Sequence, residues 1–80
     1  MNVSAQNANF LIDLLTAKIS ESLSMENEKS ITDSMREFMS TKTFAVLSSS
    51  QSYLFLESPA YILDMLNAER SGDFESWLEV

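Results

Sequence analysis

Ala8-Asn9-Phe10-Leu11-Ile12-Asp13-Leu14-Leu15-Thr16-Ala17-Lys18-Ile19-Ser20-Glu21-Ser22-Leu23 is the longest amphipathic stretch of the chain. Leu11, Ile12, Leu15, Ile19 and Leu23 recur at helical spacing, which predicts an amphipathic helix with Asp13, Thr16, Ser20 and Glu21 on its opposite side. Asn7 or Asn9 can cap its start by offering a side-chain oxygen to free backbone N–H groups. Phe10 and Leu14 fall outside the narrow apolar stripe. The resulting surface is broader than a single neighbouring helix covers. Either these two side chains pack on the C-terminal part of the same chain, or the surface meets a second copy. Phe10, Leu11 and Leu14 are therefore the candidate self-association residues.

Downstream, Ser24 reads as an N-cap, with Glu26 and Glu28 placed to favour the positive end of a helix dipole. The second helix is expected to run from Met25 to about Ser40, burying Ile31, Met35, Phe38 and Met39 and pairing Lys29 with Asp33 on the solvent side. Asp33 and Glu37 lie one turn apart, but two carboxylates are fewer ligands than a hard cation needs, and no metal is expected. Between Thr41 and Leu56 two apolar runs, Phe44–Leu47 and Tyr53–Leu56, flank a polar interruption. A short helix at 42–49 followed by extended chain at 53–57 is the favoured reading, and a small β-hairpin is the alternative. Ser58-Pro59 then marks a helix start, because serine satisfies one unpaired N–H and proline removes another. That helix buries Tyr61, Ile62, Met65 and Leu66 and stops near Ser71, ahead of Gly72. Asp73 can cap a last turn that points Phe74, Trp77 and Leu78 one way. The expected fold is thus mainly α: a small bundle of three to four helices, with an extended segment or short β-hairpin between helix two and the C-terminal helix. It forms one domain over 1–80, with 1–7 as a disordered N-terminus.

Composition narrows the function. The 80 residues carry 12 acidic and 5 basic side chains, a net charge of −7, and neither His nor Cys. Such a charge opposes direct binding to nucleic-acid backbones and to anionic membrane surfaces. No apolar run approaches membrane-spanning length, and Met1–Asn9 lacks the charged and apolar regions of a secretory signal, so a cytoplasmic protein is expected. Without His or Cys the usual base near neutral pH, the thiolate nucleophile and the soft metal ligands are all missing. A single glycine cannot build a phosphate-binding loop. The expectation is a protein that is not an enzyme and holds no cofactor.

The charge is concentrated toward the C-terminus, where residues 57–80 hold six acidic side chains against Arg70 alone. Solubility is one explanation of this excess. A docking surface for a basic protein is the sharper one, with Glu69, Asp73, Glu75 and Glu79 as its charges and Trp77 as its apolar anchor.

The tract Leu56-Glu57-Ser58-Pro59-Ala60-Tyr61-Ile62-Leu63 resembles that of short uncharacterised bacterial proteins in which a helical N-terminal half leads to an SPxYI-type helix start. The resemblance implies a regulatory or antitoxin-type partner of a larger effector. Together these readings point to a non-enzymatic, homodimeric protein-interaction module. The alternative is a nucleic-acid mimic that blocks a DNA- or RNA-binding protein by spacing carboxylates like phosphates.

Overall fold

The computed structural model describes residues 5–49 and 52–75. Among the described residues four complete α-helices follow in order: α1 (Ala5–Asn27), α2 (Ile31–Met39), α3 (Lys42–Leu47) and α4 (Pro59–Arg70), with a 3₁₀ turn at Leu54–Leu56 before α4. Among the described residues there is no strand, so the β-hairpin alternative is not seen. The segment expected to be extended is instead wound into the 3₁₀ turn, entered through a left-handed Tyr53 (φ 58°). Helix α1 begins at Ala5, inside the segment expected to be disordered, and residues 1–4 lie outside the described residues.

Helix α1 is the spine. At about 1.5 Å per residue, its 23 residues account for most of the 38 Å long axis of the molecule. Ala8, Ile12, Leu15, Ile19 and Leu23 form the inner stripe, and they cluster with Phe38 of α2, Leu47 of α3, Phe55 of the 3₁₀ turn, and Ile62 and Leu66 of α4. Each fully buried side chain of this size contributes roughly 1.5–3 kcal/mol by leaving water. Phe38 and Phe44 meet edge to face at 5.6 Å between ring centroids, tying α2 to α3.

Thr16 and Ser20, expected on the polar side, are buried. Their hydroxyls donate back to the carbonyls of Ile12 (2.8 Å) and Thr16 (2.7 Å), so each enters the core with its hydrogen bond made. The break between the first two helices also falls later than expected. Ser24 does not cap a helix start. The chain turns at Glu28, which adopts a left-handed φ of 55°, and Lys29 N–H returns to the Ser24 carbonyl. The Ser24 hydroxyl donates to the Lys29 carbonyl and closes the same turn. Ser30 is the actual N-cap of α2, accepting from Asp33 N–H at 3.1 Å.

Starting α2 at Ile31 changes which of its side chains are covered. Phe38 and Ser34 are fully buried, whereas Ile31 and Met39 remain 52% and 50% exposed. The expected Lys29–Asp33 pair is replaced by Lys29–Glu37 at 2.8 Å, and Glu37 also accepts from Arg70 of α4 at 3.2 Å. The Lys29 hydrogen bond and charge, joined by Arg70, hold the Glu37 carboxyl below the usual carboxylate range.

Both ends of α4 follow their sequence signals. Ser58 Oγ accepts from Tyr61 N–H at 3.2 Å, and Pro59 occupies the first turn. At the other end Gly72 takes φ 88°, while Gly72 and Asp73 N–H return to the carbonyls of Glu69 and Ala68. This double bond pattern satisfies two end carbonyls and needs a left-handed residue at Gly72.

Two substitutions test this packing. Ser34 Oγ is buried and has no hydrogen-bond partner among the described residues, so Ser34→Ala is expected to raise the unfolding free energy by about 1 kcal/mol in urea melts. A loss of stability would mean that the hydroxyl is bonded. Glu28 occupies a backbone conformation that costs a side-chain-bearing residue about 1 kcal/mol. Glu28→Gly should therefore also stabilise.

Candidate interaction surface

The outer side of α1 meets the approach to α4 in an apolar groove. Leu11, Leu14 and Leu15 form one wall, Phe55, Leu56 and Pro59 the other, around a hollow of about 280 Å³. Local sequence explains both walls. On α1 the side chains at three- and four-residue spacing share one side of the helix, so Leu11, Leu14, Leu15 and Lys18 fall together. Opposite, Tyr53 and the 3₁₀ turn that follows it wind four successive apolar residues so tightly that Phe55 enters the core while Leu56 stays 51% exposed. Lys18 stands on the α1 side of the hollow and Glu57 on the other side.

The groove continues into uncovered apolar surface. Phe10 is 66% exposed one helical turn before Leu14, itself 43% exposed. Tyr53 is also exposed and lies 5.9 Å from Phe55 between ring centroids. The three candidate self-association residues are thus brought together: Leu11 and Leu14 line the hollow and Phe10 projects beside it. Packing of Phe10 and Leu14 into the core is not what the described residues show. Sequence reasoning missed the second wall, Phe55 to Pro59. Its signal was the unbroken run of four apolar residues, too many for one buried side of a short element.

A second uncovered apolar area lies on α2. Met35 and Met39, together with Phe44, Thr16 and Asp13, bound a hollow of about 200 Å³ between α1, α2 and α3. Arg36 flanks the same methionines on the solvent side of α2.

The acidic candidates separate. Glu69 is not offered to a partner, because its carboxylate caps the start of α3. Oε2 accepts from Lys42 N–H at 3.0 Å, and Oε1 accepts from the Thr43 N–H and hydroxyl, each at 2.8 Å. Burial pushes the Glu69 carboxyl up, but these three donors and the Lys42 charge outweigh it and hold the group below the usual range. Asp73 and Glu75 are exposed on either side of the buried Phe74. Trp77 and Glu79 lie outside the described residues. Among the described residues no three His, Cys, Asp or Glu side chains converge on a possible metal position, and no helix is long and apolar enough to cross a membrane.

Comparison with protein-family models, with curated proteins and with solved structures finds no match.

The Glu69 cap has a pH signature. A carboxyl held low in the native state stabilises it fully above the unfolded-state value, and this contribution is lost as pH falls through the native one. Glu69→Gln should therefore lie below the wild type in urea melts at pH 7, and the gap should narrow on acidification. Glu69→Ala, which leaves the Thr43 and Lys42 donors without their acceptor, is expected to cost about 1–3 kcal/mol at pH 7. A gap between wild type and Glu69→Gln that stays constant on acidification would show that the carboxylate charge is not what caps α3.

Proposed function

We propose that this chain is a small, acidic, non-enzymatic protein-interaction module that self-associates through the outer side of α1 and docks a second protein in a regulatory or antitoxin-type role. The observation that carries the reading is the apolar surface around the groove, where Phe10, Leu14, Tyr53 and Leu56 are all substantially exposed. Contiguous apolar patches on a monomer are small, and larger ones mark contact sites. Covering such a surface also suits a domain of this size, whose own core offers only a narrow margin over chain entropy.

The second partner is proposed to be basic and to act in the cytoplasm. Asp73 and Glu75 support this, since they remain exposed just beyond α4 in the most acidic part of the chain. Glu69 drops out of that surface because it is engaged with α3. The remaining charges serve to steer association and to disfavour acidic competitors.

Sedimentation at micromolar concentration tests the first part. The wild type is expected as a dimer, and Phe10→Asp combined with Leu14→Asp as a monomer of unchanged far-ultraviolet circular dichroism. A wild type that sediments as a monomer throughout would contradict the reading. For the second part, Asp73→Lys with Glu75→Lys should slow capture of the native partner, with the largest effect at low salt; capture at an unchanged rate would remove the acidic surface from the proposal.

A further inference from the structure

Five cations are present in the chain, and two of them form ion pairs among the described residues. Lys29 and Arg70 share Glu37, and Lys42 adds its charge beside Glu69. Lys18 and Arg36 have no ion pair among the described residues, and each stands at an apolar hollow. The Lys18 hollow is the one lined by Leu14, one helical turn from the exposed Phe10, and it carries an acidic residue, Glu57, on its opposite side. Lys18 and Glu57 border one groove, yet no ion pair joins them among the described residues.

A groove with an apolar floor, a cation on one side and an anion on the other is complementary to itself under a two-fold rotation. Two-fold contacts use the same patch on both subunits, so Lys18 of each copy can face Glu57 of the other. We propose that the occupant of this groove is a second copy of the chain, in antiparallel register along α1, with the Phe10 ring of each copy seated in the hollow of the other and two reciprocal Lys18–Glu57 pairs closing its ends. The inference rests on the self-association reading and adds the partner's orientation and the contacts that select it. It also explains how two chains of net charge −7 approach one another. Each brings a cation to the contact, opposite a carboxylate, while the apolar residues supply the affinity.

Charge reversal tests the arrangement, because the pairs are predicted to be between copies. Lys18→Glu alone places two like-charged pairs at its own dimer contact, as does Glu57→Lys alone, and each variant is expected to dissociate roughly tenfold or more readily than the wild type. Mixing the two variants should restore association, because a mixed dimer again has one opposite pair at each end. Circular dichroism melts establish that each variant is folded. Should Glu57→Lys not fold, Lys18→Gln takes its place, with a weaker dimer that added salt favours more than it favours the wild type, because the net repulsion between the chains is no longer opposed by the pairs. Restoration on mixing, or that shift in salt dependence, supports the proposal. A dimer indifferent to both reversals, or not restored by mixing, overturns this arrangement and leaves self-association standing. A wild type that is monomeric throughout overturns both.

Discussion

Burial of one side of α1 organises the molecule. Ile12, Leu15, Ile19 and Leu23 need a cover, and α2, the 3₁₀ turn and α4 all pack against that helix. The covering elements are short, at 9, 3 and 12 residues against 23. They can enclose the inner stripe but cannot wrap a helix that is apolar over more of its circumference. Phe10 and Leu14 are what they leave outside. The same geometry that completes the core therefore creates the groove. Its second wall is the turn that carries Phe55 inward and Leu56 outward.

Polar contacts then fix how the short elements sit on the spine. Glu69 holds the first turn of α3 from α4, and Glu37 joins the α1–α2 connection to Arg70. These carboxylates differ in value. Glu37 is an exposed ion pair of small net worth, whereas Glu69 satisfies backbone donors that would otherwise lack partners. Glu69 is thereby turned inward, whereas Glu37 stays at the surface with its charge balanced by Lys29 and Arg70.

The strongest signals in the chain were those in which one residue has one local reason to be there. Ser58-Pro59 and Gly72 fixed both ends of α4, and the spacing of Ile12, Leu15, Ile19 and Leu23 fixed the inner side of α1. What escaped reading depended on partners distant along the chain or on competing local bonds. Ser24 has the chemistry of a helix cap but closes a turn behind it. Thr16 and Ser20 are polar by type and interior by their bonds to preceding carbonyls. Glu69 reads as available to a partner from sequence alone, because nothing near it along the chain announces Lys42 and Thr43. Likewise the α1 half of the groove was legible from periodicity, while Phe55 to Pro59 joined it only through the fold.

In the proposed dimer α1 serves two contacts at once, the core of its own chain and the groove of another. Intermolecular nuclear Overhauser effects, recorded on an equimolar mixture of isotope-labelled and unlabelled protein, test it most directly. Cross-peaks are expected between the Phe10 ring protons of one copy and the methyl groups of Leu14 and Leu56 of the other. A dimer whose intermolecular cross-peaks come instead from Met35 and Met39 on α2, with none from Phe10, would contradict it.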